Sequence, residues 1–167
     1  ERLPDEQLTI VLEWDRWLPE DALLGYELDL DSYFGGEPGS EVLVYWGYTG
    51  SLLEYPYVAL LNDALGGEAP EARREELQVT FLATEPQHTF TVQDYYTTYE
   101  PICGLLESGA RVTVYRGSTV AATFSVPESS GVVCPNTWAV FTIDTPTGEI
   151  YPLGVLSRNE DVWGDKY

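Results

Sequence analysis

The residues best suited to chemistry in this 167-residue chain are acidic side chains placed at strand spacing. Asp29 and Asp31 stand two positions apart, so in a β-strand their carboxylates project from the same face. Asn62 and Asp63 follow another apolar run and add further oxygen atoms. Ca²⁺ prefers ligands of this kind, roughly six to eight per ion. The sequence therefore predicts a calcium site at these four residues; the alternative is a solvated face of an acidic protein.

The sequence contains few residues suited to catalysis. His88 is the only histidine, and its position alternates in phase with Phe90 and Val92, which predicts that it packs in the core. A serine or cysteine nucleophile therefore has no available base. No glycine-rich phosphate loop follows a strand, and among 28 acidic residues a pair of neighbouring carboxylates arises by chance. The sequence predicts no catalytic residues and no enzymatic activity.

Cys103 and Cys134 lie 31 positions apart, without a Cys-x-x-Cys motif or a histidine spacing that fits zinc. Such a pair in a β-rich chain predicts one disulfide bond, and with it an oxidising compartment, either extracellular or at the cell surface. Two buried free thiols in a cytosolic protein are the alternative.

The charge balance restricts the partners. The chain carries 28 acidic against 8 basic residues, a formal net charge of −20 at pH 7. This excess repels phosphate, so we expect neither nucleic acid nor an anionic membrane surface as a partner. No apolar run approaches the ~20 residues of a membrane-spanning helix, so we expect no membrane insertion. A salty or calcium-rich habitat and simple colloidal solubility both account for the acidity.

The chain is rich in tyrosine, with twelve of them. Exposed aromatic side chains are enriched at interfaces, and sugar rings stack on the same surfaces. Several aromatic residues lie in loops or at the parity opposite to the core, where the alternative is that a second sheet or a loop covers them. The predicted interface or glycan-stacking residues are Tyr45, Tyr48, Tyr95, Tyr96, Tyr99 and Trp163.

The elements that position these residues are strands, because the dominant hydrophobic period is two. The pattern predicts an all-β fold, an antiparallel β-sandwich of jelly-roll or immunoglobulin-like type with about ten short strands. Helical signal is limited to one or two short turns, the clearest at residues 70–76. We expect one domain, 1–167, in which the ends, 1–7 and 158–167, are docking tails for strand addition.

Several segments, which together span most of the chain, resemble YfaP-like secreted bacterial β-sandwich surface modules. They are the opening strand at 8–14 with the Asp-Leu-Asp-Ser run at 29–32, the aromatic strand at 44–48, the hairpin at 114–127 and the strand pair at 138–152. The chain departs from that family at Tyr33, where the family has histidine, and at 60–63, where it has an Asp-rich strand. The resemblance implies a secreted or cell-surface sandwich without established enzymatic activity, and by itself it does not indicate whether a ligand is bound.

Two functions follow as expectations. The first is a non-enzymatic extracellular subunit that assembles with copies of itself into a fibre or surface layer, through strand exchange and tyrosine-rich contacts. The second is a calcium-assisted carbohydrate-binding module, with Ca²⁺ as its cofactor and glycans as its partners.

Overall fold

A computed structural model describes residues 7–15, 28–36, 42–80, 82, 86–95, 104–128 and 131–158. Within these ranges the chain forms eleven strands, one 3₁₀ turn (Pro70–Arg73) and one four-residue helix, α1 (Gly104–Glu107). The strands are β1 (Leu8–Glu13), β2 (Leu30–Gly35), β3 (Val42–Val44), β4 (Gly50–Ser51), β5 (Val58–Leu60), β6 (Arg74–Val79), β7 (Gln87–Asp94), β8 (Arg111–Arg116), β9 (Thr119–Ser125), β10 (Thr137–Asp144) and β11 (Ile150–Ser157).

The strands form two antiparallel sheets. One sheet has the order β4-β5-β6-β1-β8-β9 and the other the order β11-β10-β7-β2-β3. The sheets stack face to face, with β6 over β2 and β9 over β10, where Phe124 stacks on Phe141 with ring centroids 5.2 Å apart. The predicted antiparallel sandwich of about ten short strands is confirmed, because period-two alternation buries one face of each strand.

The core lies between the sheets. In β1, at the centre of the larger sheet, Leu8, Ile10 and Leu12 point inward in the order that the alternation predicts. Phe90 of the smaller sheet stacks on Phe141 with centroids 5.5 Å apart. Burying an aliphatic or aromatic side chain of this size contributes roughly 1.5–3 kcal/mol, so this shared layer is what holds the two sheets together.

The segment 70–76 differs from its prediction. Only Pro70–Arg73 forms a turn, of 3₁₀ type, and β6 begins at Arg74. The reason is that Glu75 alternates in phase with the buried Leu77 and Val79, so a strand places all three toward the core whereas a helix would scatter them.

The predicted docking tails lie outside the described residues except for Gln7 and Arg158. Gln7 contacts the sandwich, since its carbonyl accepts a hydrogen bond from the Gly117 N–H at 2.9 Å. Arg158 donates to the carbonyl of Cys134 at 2.9 Å. Strand addition by these tails therefore stays a prediction.

The predicted disulfide involves Cys103, which lies outside the described residues. No described cysteine is a free thiol, but the pairing of Cys103 with Cys134 stays a prediction. Within the described ranges, no helix has the length and apolar character needed to cross a membrane.

Candidate metal centre

The site begins with an open strand edge. β3 pairs with β2 only at Phe34 and Gly35, so in the described part of the chain no strand covers the edge of β2 before Phe34. An exposed strand edge carries backbone N–H and C=O groups that need partners.

The carboxylate of Glu75 occupies this edge. Glu75 holds an inward position on β6 and is 1% exposed. Its Oε2 accepts the backbone N–H of Ser32 on β2 at 2.8 Å, and its carboxylate also accepts a hydrogen bond from the Ser32 hydroxyl. Its Oε1 accepts the backbone N–H of Ala64 at 3.2 Å. One buried side chain thus joins both sheets and the loop that follows β5.

Three carboxylates meet at this point. Asp31, Asp63 and Glu75 each place one oxygen so that all three lie within 4.8 Å of one another. Asp31 is 2% exposed, while Asp63 is exposed and opens the cluster to solvent. We call these three residues the acidic cluster; β2, the loop after β5 and β6 contribute one residue each.

Asn62 positions the loop residue of the acidic cluster. Its Nδ2 donates to the carbonyl of Arg74 at 2.6 Å, and its Oδ1 accepts the N–H of Glu76 at 3.1 Å. β5 ends at Leu60. Beyond it, the Asn62 side-chain amide takes the place of a paired strand and hydrogen-bonds to the backbone of β6. Asn62, predicted as a ligand, directs its amide to the backbone of β6 and fixes the start of the loop that carries Asp63.

The acidic cluster is electrostatically strained. The pKa of Glu75 is raised well above its usual value, first by burial and then by the charge of Asp31, while the hydrogen bonds from Ser32 act in the opposite direction. Among the described residues, no arginine pairs with Asp63 or Glu75. A bound proton or a bound cation relieves the repulsion of like charges at such short range.

Two further polar residues lie near Asp31. Gln93 is the register partner of Asp31 on β7, so both side chains project from the same face of the sheet. Gln93 is 2% exposed, and no group among the described residues bonds to its Oε1. Asp29 is also buried, although it stands outside the acidic cluster. The sequence left a solvated strand face as the alternative to a calcium site. In the structure this face is buried at Asp29, Asp31 and Gln93.

An aromatic group adjoins the acidic cluster along β2. Tyr33 lies two residues after Asp31, and its pKa is raised by burial and next by the Asp31 charge. Tyr33 stacks on Tyr45 with centroids 5.8 Å apart and accepts a hydrogen bond from Trp46 Nε1 at 3.3 Å. The turn after β3 ends at Tyr48, which is 54% exposed.

The turn between Tyr45 and Tyr48 is held by paired backbone hydrogen bonds of 3.0 Å. A Cβ at Gly47 would lie 2.7 Å from the ring of Tyr45, so a larger residue here would displace that ring. We call Tyr33, Tyr45, Trp46 and Tyr48 the aromatic group. Its outer members, Tyr45, Trp46 and Tyr48, keep part of their surface accessible.

The other predicted aromatic contacts are less informative. Tyr95 is half-buried, and its backbone N–H donates to the carbonyl of Asp29 at 3.0 Å. Tyr96, Tyr99 and Trp163 lie outside the described residues.

His88 is a core residue, as its phase predicts. Its ring stacks on Phe34 with centroids 5.4 Å apart, and its Nδ1 lies 2.9 Å from Thr145 Oγ1. Nε2 is buried and has no hydrogen-bond partner in the ranges that the structure describes, and burial lowers the pKa of His88 to about 4. The imidazole is thus held neutral at physiological pH.

Sequence reasoning missed Glu75 and Trp46. Glu75 shares its parity with Leu77 and Val79, and this inward-facing carboxylate was the available signal. Trp46 lies between two of the predicted tyrosines.

No family model matches the sequence, and no curated protein is significantly similar to it. The resemblance to YfaP-like modules therefore stays a prediction.

Proposed function

We propose that the protein is a non-enzymatic extracellular or cell-surface interaction module that binds Ca²⁺ at Asp31, Asp63 and Glu75. The observation that carries this proposal is the convergence of three carboxylates from two sheets and a loop, two of them buried. Exposed acidic residues can separate and remain hydrated. Asp31 and Glu75 are held together inside the protein, where a divalent cation offsets both their repulsion and their lost hydration.

The chemistry of the acidic cluster favours Ca²⁺ over Mg²⁺. Ca²⁺ takes roughly six to eight oxygen ligands at about 2.3–2.6 Å in a flexible arrangement, whereas Mg²⁺ demands a near-ideal octahedron at about 2.0–2.1 Å and gives up its water reluctantly. Asp31 and Glu75 are buried, so an ion bound by them must lose water on that side. Water on the exposed side of Asp63 supplies the remaining ligands.

The ligand class that the surroundings support best is carbohydrate. The aromatic group begins two residues from Asp31, and Tyr48 presents an exposed ring. Aromatic rings with a polar edge bind amphipathic ligands at a low entropic cost. A bound Ca²⁺ with open coordination positions would add ligation of sugar hydroxyls beside this surface.

Calcium binding is tested by thermal unfolding in EDTA and in Ca²⁺. Saturation at 100 times the Kd stabilises the folded state by about 2.7 kcal/mol, which raises the Tm by roughly 5–10 °C in a domain of this size. Asp63→Asn, at an exposed position, should fold normally and lose most of this rise. Glu54→Gln, an exposed acid outside the acidic cluster, should retain it.

An equal Tm rise in wild type and Asp63→Asn would overturn the proposed site. Carbohydrate recognition is tested separately on a glycan panel in Ca²⁺ and in EDTA, with Tyr48→Ala as the variant. We expect calcium-dependent binding that Tyr48→Ala weakens about 10-fold or more. Absence of binding to every glycan would end the carbohydrate proposal and leave the calcium site standing.

The predicted extracellular location also rests on the Cys103–Cys134 bond. Closing a loop of this length would contribute roughly 3–4 kcal/mol on the chain-entropy model. Mass spectrometry of a non-reduced digest should recover one peptide pair joined through the two cysteines. Two separately alkylated peptides from the native protein would contradict the bond.

Self-association is the second candidate function. One observation favours it, namely a long, uncharged strand at the edge of the larger sheet, β9. The tyrosine-rich contacts predicted from the sequence are not needed for this route.

A further inference from the structure

Gln93 carries a buried oxygen atom beside the acidic cluster. Its side chain is 2% exposed, and its Oε1 has no hydrogen-bond partner in the part of the chain that the structure describes. An acceptor that is buried and unsatisfied costs free energy, because it has given up its hydration. Such atoms are rare in native proteins, and a bound ion is one of the ways in which they are satisfied.

The position of Gln93 is fixed by the pairing of β7 with β2. Gln93 is the register partner of Asp31. Their strand neighbours, Val92 and Leu30, belong to the core. Gln93 and Asp31 therefore both project from the outer face of the smaller sheet, and residues paired in this way have Cβ atoms about 4.5–5.5 Å apart. Because a glutamine is one methylene longer than an aspartate, its carboxamide can reach the carboxylate of Asp31.

The neighbourhood of this oxygen favours a cation over a hydrogen-bond donor. An ionised carboxylate accepts hydrogen bonds but donates none, so Asp31 cannot satisfy Gln93 Oε1. A cation, in contrast, attracts both oxygens at once. The acidic cluster has three residues, whereas Ca²⁺ takes roughly six to eight oxygen ligands and accepts amide oxygens beside carboxylates. The ion therefore has a coordination position for Gln93.

We propose that Gln93 is a fourth protein ligand of the cation and binds it through Oε1. This inference rests on the proposed calcium site and deepens it, because it adds β7 to the elements that hold the ion and contributes to the choice of ion. Mg²⁺ usually keeps several waters and binds through one or two carboxylates. A buried neutral oxygen that takes the place of a water therefore favours Ca²⁺.

Gln93→Leu removes the oxygen, and Thr89→Val is the matched control. Thr89 is buried on the same face of β7, and its Oγ1 also lacks a partner among the described residues. Thr89 pairs with Gly35, however, and not with Asp31. In calorimetric titrations Gln93→Leu should raise the Kd for Ca²⁺ at least about 10-fold, the lower end of what even outer-shell residues contribute. The Kd for Mg²⁺ should change much less, and Thr89→Val should change neither.

Terbium luminescence distinguishes a ligand from a residue that only supports the fold. Tb³⁺ is a hard cation that occupies calcium sites, and its luminescence lifetimes in H₂O and D₂O count the waters bound to it. We expect the ion in Gln93→Leu to hold about one additional water, which fills the position that the amide oxygen leaves. Thr89→Val should keep the wild-type number. Gln93→Leu should be at least as stable as wild type in EDTA, since it removes an unsatisfied acceptor.

Gln93→Glu keeps the oxygen and adds a charge. This charge is repelled by Asp31 in EDTA but is paired when the cation is bound. Gln93→Glu should therefore bind Ca²⁺ more tightly than Gln93→Leu. A Glu variant that binds no better than the Leu variant would contradict ligation by Gln93. Equal Kd values and equal water counts in wild type and Gln93→Leu would also contradict it, and would leave the acidic cluster standing. A wild-type protein that binds no Ca²⁺ would overturn the calcium site as well.

Discussion

The carboxylate of Glu75, on the larger sheet, accepts the backbone N–H of Ser32, on the smaller sheet, at 2.8 Å. A side chain here takes the position that a neighbouring strand would otherwise fill along β2. The same carboxylate stands next to Asp31 and Asp63. The bond that links the sheets and the charge that favours a cation therefore belong to one residue, so the folding stability and the cation affinity of this protein should be coupled.

The stability without calcium should depend on pH through Glu75. Because its folded pKa is raised, the folded state holds a proton at pH values where the unfolded chain has released it. The contribution of Glu75 to the free energy of unfolding is therefore fully present below its usual pKa of about 4.5. It is lost as the pH rises through the folded pKa of Glu75. Asp63 on the loop and Asp31 on β2 are the charges that face it.

Asp31→Asn should reduce this loss, since it removes the charge that raises the Glu75 pKa most after burial. Denaturant unfolding in EDTA from pH 4.5 to 8 measures the effect. We expect the variant to gain stability relative to wild type as the pH rises through the folded pKa of Glu75. A constant difference between the two proteins across this range would contradict the coupling.

His88 should act in the opposite direction. Its folded pKa of about 4 lies below the value of 6.5 for the unfolded chain, so the unfolded state binds the extra proton first. Its stabilisation is present above pH 6.5 and is lost as the pH falls toward 4, by up to about 3 kcal/mol. His88→Gln, which keeps a polar partner for Thr145 but does not titrate, should remove this part of the acid sensitivity. Identical acid transitions for both proteins would refute the assignment.

Trp14 and Trp138, both buried, should differ in what their indole N–H contributes. Trp14 Nε1 donates to the carbonyl of Leu28 at 3.0 Å, whereas the buried Trp138 Nε1 has no hydrogen-bond partner within the described part of the chain. Replacement by phenylalanine leaves the Leu28 carbonyl unsatisfied in the first case only. Trp14→Phe should therefore cost about 1–2 kcal/mol more than Trp138→Phe in urea unfolding. Equal losses would show that the Leu28 contact contributes nothing.

Asn62 should influence calcium binding without serving as a ligand. Its amide ties the loop before Asp63 to the backbone of β6. Residues that orient a ligand typically change metal affinity about 10–100-fold when they are lost. Asn62→Ala should raise the Kd for Ca²⁺ about 10-fold while one ion still binds at saturation. Gln78→Ala, at a half-buried site on β6, is the matched control. An unchanged Kd in Asn62→Ala would show that the loop needs no such support.

The alternation of apolar and polar residues was sufficient to predict the sandwich. In β1 and β7 that alternation is regular, and the structure buries the residues it predicts. The local composition was misleading at 70–76, where Pro70 and the acids that follow favour a helix start while β6 packs as a strand. Tertiary packing decided between the two, because Glu75, Leu77 and Val79 all reach the core as a strand.

The candidate site was only partly predictable for a similar reason. Asp31 and Asp63 were identified by residue type and spacing, but the sequence does not show that β3 stops short and leaves an edge of β2 open. Glu75 was missed because a carboxylate in the core phase of a strand looks unfavourable until its partners, Ser32 and Ala64, are known. The order of the strands in each sheet determines which residues share a sheet edge, and the sequence alone does not reveal that order.

Calorimetric titration of the metal-free protein with Ca²⁺ is the most direct test of cation binding by the acidic cluster. We expect one ion per chain and release of protons on binding at pH values near the folded pKa of Glu75. Asp31→Asn and Asp63→Asn should each lower the affinity by a factor of 10 or more, while Glu54→Gln leaves it unchanged. No saturable binding, or equal affinity in wild type and both cluster variants, would contradict a calcium site at the acidic cluster.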